Sequence, residues 1–182
     1  MTPDTWREHP AIALMASRRL PTVRLAIDPG PERSAWLAYV SGDGDEIIGF
    51  GIESNPEVLS RIRRFVGGMM FPGASRVVIE KIESFGMAVG AEVFETVFWS
   101  GRFAQAADPM PVERVTRRAV KLHLCGSSRA KDANIRAALL DRYGPGKEKA
   151  VGTKANPGPL YGISKDVWSA LAVAVTAADT LP

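Results

Sequence analysis

The stretch Val23-Arg24-Leu25-Ala26-Ile27-Asp28-Pro29-Gly30 places an aspartate at the end of a short, largely apolar strand and then turns the chain sharply. Pro29-Gly30 stops the strand directly after the carboxylate, which therefore projects from the strand end into whatever cleft lies there. That placement suits a metal ligand. Asp-Pro-Gly is equally a turn sequence in which the aspartate caps its own backbone. The rest of the chain has to separate the two readings.

Working outward, strands are expected at Val23 to Asp28, Ser34 to Ser41 and Glu46 to Glu53, with Gly42 to Asp45 as a hairpin turn, which makes a three-strand meander. Val58, Leu59, Ile62 and Phe65 have helical spacing within Pro56 to Phe65, and Gly67-Gly68 stands where that helix should stop. Val77-Val78-Ile79 forms the centre of a fourth strand, Arg76 to Glu80, buried on both faces. A long helix over Met87 to Ala107 is closed by Pro109 and Pro111. A fifth strand follows at Pro111 to Val115, then helices at Arg117 to Leu124, Ala130 to Tyr143 and Ser164 to Ala178. Gly144 to Pro159, rich in glycine and proline, reads as a mobile loop. The order is three strands, then helix, strand, helix, strand and three helices. Residues 1–21 read as a polar extension ahead of one domain over 22–182.

The chain has 182 residues, 46% of them hydrophobic and 24% charged, enough for one core without covalent staples. Its one cysteine, Cys125, excludes an intramolecular disulfide and a cysteine-rich zinc site, which favours a reducing, cytoplasmic setting. No apolar run reaches the roughly 18 residues of a membrane span. The net charge of +3 says little, but its distribution says more. Arg114, Arg117, Arg118, Lys121, Arg129, Lys131 and Arg136 stand against Asp132 alone, a basic stretch suited to nucleic acid. His9 and His123 have no acidic partner that the sequence identifies, and read as surface residues.

Glu80 ends the fourth strand as Asp28 ends the first, so parallel neighbouring strands would bring the two carboxylates to one edge of the sheet. Asp166 opens the last helix. Three carboxylates from distant positions form an oxygen-ligand set for Mg²⁺ or Mn²⁺, and their clustering is costly unless a cation neutralises it. Glu83 replaces Glu80 if the strand runs longer, and Asp166 could instead serve the helix as a cap.

The ordered motifs resemble the RuvC family of Holliday-junction resolvases, nucleases with the RNase H-like fold. The resemblance runs from about Val23 to Ala178. It rests on Ile27-Asp28-Pro29-Gly30 with Ser34-Ala35-Trp36, on Val77-Val78-Ile79-Glu80-Lys81, on Val120-Lys121 with Gly126 and Ala130-Lys131, and on Asp166-Val167-Trp168-Ser169-Ala170-Leu171-Ala172. It implies an α/β domain, a five-stranded mixed sheet of meander plus parallel strands flanked by helices. The chain departs from the pattern twice. Ser169 stands where the family has its final aspartate, and Asp132 stands where a second lysine is usual, so Lys131 fills that role only if the loop shifts.

What the resemblance implies is metal-assisted hydrolysis of branched DNA, with two ions about 4 Å apart. Asp28 would bridge them, Glu80 and Asp166 would each hold a side, and Ser169 would add a hydroxyl or a bound water. Lys121 and Lys131 would grip the scissile phosphate, Arg117, Arg118 and Arg129 would contact the backbone, and Phe85 would stack at the junction centre. Two strands to cut imply a two-fold homodimer, to which the Met87 to Ala107 helix contributes. No motif specifies a motor or recombination partner. Processing of structured RNA, or junction binding without cutting, are the competing functions.

Overall fold

The structure is a computed structural model that describes residues 22–42, 45–68, 75–84, 86 and 88–181. The polar extension, Phe85 and Met87 lie outside the described residues. Five strands, β1 (Thr22–Asp28), β2 (Arg33–Ser41), β3 (Glu46–Ser54), β4 (Ser75–Lys81) and β5 (Val112–Thr116), form one sheet in the order β3-β2-β1-β4-β5. β1, β2 and β3 pair antiparallel as the expected meander, while β4 runs parallel to both β1 and β5.

Helices α1 (Asn55–Gly68) and α2 (Ala91–Ala106) cover one face, and α3 (Arg117–Cys125), α4 (Asp132–Tyr143) and α6 (Val167–Thr180) cover the other. Strand alternation sorts the core accordingly. Leu25, Ile27, Val77 and Ile79 pack with Val58, Ile62 and Phe103, whereas Ala26, Leu37, Tyr39 and Val78 pack with the α6 side. Every residue of α6 from Ala170 to Ala177 is buried, and its alanines let the helix lie close against the sheet. Among the described residues no helix is long and apolar enough to cross a membrane.

Trp36 shows how the meander is filled. It pairs with Gly51 across β2 and β3, and a Cβ on that glycine would lie 3.1 Å from the indole nitrogen. The bare glycine backbone accepts the ring, and the Arg61 guanidinium covers it at 3.6 Å.

The glycine- and proline-rich segment 144–159 differs from the mobile loop expected. It holds a short helix, α5 (Lys147–Ala150), and a bridge between Gly152 and Pro157, and it buries Ala150 and the following Leu160. A Cβ on Gly158 would lie 2.4 Å from the Lys149 carbonyl oxygen, so glycine here permits close packing of backbone rather than motion.

Candidate metal centre and nucleic-acid groove

The parallel register sets Ile27 of β1 beside Ile79 of β4, so the next residues, Asp28 at the end of β1 and Glu80 one residue before the end of β4, lie on the sheet face covered by α6. Glu80 is 7% exposed and Asp28 half-buried. A protonated Asp28 donates a hydrogen bond to Glu80. Burial first, then the Glu80 charge and this bond, then the Asp166 charge push Asp28 up to about 8, with Arg117 opposing. Burial raises Glu80 as well, against the pull of Arg117 and the Asp28 hydrogen bond.

The turn after Asp28 does not use the aspartate as a cap. Gly30 N–H donates to Ser34 Oγ at 3.1 Å, and Ser34 donates to Asn55 Oδ1 at 2.6 Å. The fully buried Asn55 returns its amide to the carbonyls of Gly30 and Pro31, at 3.0 and 3.2 Å. A Cβ on Gly30 would lie 2.2 Å from the Arg33 carbonyl oxygen, so only glycine allows the loop to close. Asn55 is thus a positioning residue, held across 25 positions, whose only sequence signal was its place before Pro56 at a helix start.

Asp166 is exposed at the N-terminal boundary of α6 and its side chain makes no capping bond to the helix. The preceding Lys165 has φ 48°, a left-handed conformation unusual for lysine. Glu83, the alternative strand-end acid, pairs with Lys81 at 2.9 Å instead. Buried Glu80 and half-buried Asp28 are therefore the paired acids of this edge, and Asp166 lies within electrostatic reach of Asp28.

Basic groups border the acids. Arg117, at the start of α3, donates to Ser169 Oγ at 3.4 Å and to Asp132 Oδ1 at 2.5 Å. Arg117, Arg118, Lys121 and Ser128 line a cavity of about 270 Å³, and Arg117 also walls a second, of about 370 Å³, with Asp132, Arg136, Lys165, Asp166 and Ser169. Lys131 and Arg129 are exposed and outside the walls of both. Asp132, Arg136 and Lys165 were not among the site residues read from sequence. His123 is not a lone surface residue either: its Nε2 lies 2.8 Å from Asp179, which also holds Arg142 at 2.6 Å.

Among the described residues no three Asp, Glu, His or Cys side chains stand as a ready group around one point. The donor chemistry nevertheless fits a hard cation. Burial and mutual charge favour one proton on the Asp28 and Glu80 pair, a third carboxylate is near, all donors are oxygens, and a divalent ion would replace that proton.

The shared proton has a measurable consequence. Because folding raises Asp28, the metal-free protein holds a proton that the unfolded chain releases near pH 4. The stabilisation is complete below that pH and is lost as pH rises toward about 8. Melting in EDTA should show stability falling over this window, by up to about 1.4 kcal/mol per pH unit, and Asp28→Asn should flatten the slope. A wild-type profile flat from pH 4 to 8 would refute the shared proton.

No family model matches the sequence, and no curated protein matches it. Among solved structures the likeness is clear. Thermus thermophilus RuvC superposes with a TM-score of 0.60 at 20% identity, covering 86% of this chain and 93% of that one. T. thermophilus RuvC in complex with a Holliday junction substrate superposes with a TM-score of 0.57 at 21% identity, with the same coverage. The five-stranded mixed sheet with its flanking helices is the RNase H-like fold in its RuvC-like form.

Proposed function

We propose that the chain is a divalent-metal-dependent endonuclease acting on four-way or other branched DNA. The observation that carries this reading is the pairing of half-buried Asp28 with buried Glu80 near the ends of adjacent parallel strands, beside a groove walled by Arg117, Arg118 and Lys121. A fold shared with a protein solved on a Holliday junction supports the choice of substrate.

A bound Mg²⁺ or Mn²⁺ would supply a Lewis acid at the phosphate and an activated water. Asp28 and Glu80 would hold it from the sheet once ionised, and Asp166 would hold it from the residue ahead of α6. Lys121 and Arg118 grip flanking phosphates as charges that position the strand without reading bases. Lys121→Ala should therefore make junction binding less salt-dependent, by a slope of about 1. An unchanged slope would remove Lys121 from the interface.

The protein acts as a homodimer in this reading. On α2, Phe94, Val97 and Phe98 are 64, 50 and 57% exposed, an apolar surface suited to a second copy. Sedimentation at micromolar concentration should give a dimer, and a monomer would contradict it.

The function is tested with a labelled immobile junction, a fork, a linear duplex and a structured RNA, each in Mg²⁺, Mn²⁺ and Ca²⁺. Cleavage of the junction ahead of the duplex and the RNA, in Mg²⁺ or Mn²⁺, is the expected result. Binding without product in any metal would make the protein a junction binder, and preferential cutting of RNA would change the substrate.

A further inference from the structure

We propose that Arg117 is a resident second cation of this site: its guanidinium, held between Ser169 and Asp132, takes the place of a second divalent ion, so the site binds one ion and Ser169 serves Arg117 rather than a metal. The proposal rests on the metal-dependent reading above and revises the expectation of two ions with Ser169 as a ligand.

The backbone fixes where Arg117 stands. It follows β5 directly, and β5 sets Val115 beside Glu80 and Thr116 beside Lys81. Thr116 Oγ1 then accepts from Ala119 N–H at 3.0 Å, capping α3 and locking its first turn. Arg117 therefore emerges at the sheet edge that carries Asp28 and Glu80.

The side chain is held at both ends of its fork. One amino group donates to Ser169 at 3.4 Å, the other to Asp132 at 2.5 Å, and the side chain is only 27% exposed. Its charge acts on both strand-end carboxylates. A neutral hydroxyl that already accepts from a cation is a poor site for a second one.

Arg117 also walls both cavities, the basic one with Lys121 and the one with Asp166, so a phosphate crossing between them meets it. In the hydrolysis, a water oxygen bonds to phosphorus, and the bond from phosphorus to the 3′ oxygen breaks with its electron pair. The proton of the attacking water passes to solvent, and solvent returns one to the 3′ oxygen. Arg117 donates N–H bonds to the phosphate oxygens as charge builds there, the work a second ion would otherwise do. Asp132, 79% exposed, is a positioning residue for Arg117.

The test is the number of Mn²⁺ ions bound by the full chain, read by titration calorimetry, with melting curves on every variant. Wild type should bind one ion. Ser169→Asp should still bind one, because the new carboxylate pairs with Arg117. Ser169→Asp combined with Arg117→Gln should bind two, and Arg117→Gln alone should bind one while cutting the junction at least about 100-fold more slowly. Two ions on wild type or on Ser169→Asp, or one on a folded double variant, would overturn the proposal. Should the double variant not fold, the counts for wild type and Ser169→Asp decide it. A wild-type protein that binds no Mn²⁺ but still cuts would overturn the metal-dependent reading itself, a result distinct from a wrong ion count.

Discussion

Asp28→Asn is expected to lower junction cleavage by about a thousandfold or more, which corresponds to some 4 kcal/mol of transition-state stabilisation. Binding of the junction should stay within a few-fold, because the phosphate-gripping residues come from α3 and not from β1. The amide keeps the size of the acid and can still donate to Glu80, so the fold is retained, but it cannot carry the charge that holds a cation. The variant should therefore be as stable as wild type or more so in EDTA, and dead in Mg²⁺. Glu80→Gln should behave alike, whereas Glu83→Gln, engaged with Lys81 away from the pair, should cut normally. Substantial residual cutting by Asp28→Asn would sink the assignment.

Glu113→Ala should destabilise the fold through a buried ion pair away from the site. Its carboxylate faces two guanidinium groups, Arg24 Nε at 3.3 Å and Arg76 Nε at 3.6 Å, and Arg24 is only 2% exposed. Arg24 also donates to Ser41 Oγ at 2.9 Å, so the ion pair ties β1 to β2 and β5 on the face that carries Asp28. Removing the carboxylate takes one ionic partner from each of two guanidinium groups, one of them buried, and should lower the melting temperature by more than the loss of any exposed pair. Asp132→Ala, at an exposed pair, should move the melting temperature by little. Equal effects of the two substitutions would mean that the Arg24 pair is not the tie described.

The strand-end acids were legible in the sequence because two apolar runs, Val23 to Ile27 and Val77 to Ile79, each stop at a carboxylate. Burial in the sheet leaves such an acid no other exit than the edge. The three-strand meander followed from the hairpin spacing, whereas the parallel strands of the mixed sheet came from the family resemblance. What stayed hidden was set by contacts between distant segments. Asn55 reads as a helix start, yet its amide closes the turn after Asp28. Arg117 reads as one cation in a basic stretch, and only the register of β5 with β4 brings it to the acids. Lys131 reads as the motif lysine, but it lies just ahead of α4, and one residue of helix turns a side chain by about 100°. Asp132 is the neighbour that meets Arg117. The loop over Gly144 to Pro159 was misread because glycine and proline serve tight packing as readily as motion.

In the proposed site Asp28, Glu80 and Asp166 hold one divalent cation between them. Titrating Mn²⁺ into the isotopically labelled protein and following paramagnetic broadening of its backbone amides tests this most directly, since broadening falls steeply with distance from the ion. Substoichiometric Mn²⁺ should first erase the amides around 27–30, 79–82 and 165–169, and Asp28→Asn should abolish this pattern. Broadening that began instead at the exposed acids Glu92 and Glu95, or that survived Asp28→Asn unchanged, would contradict it.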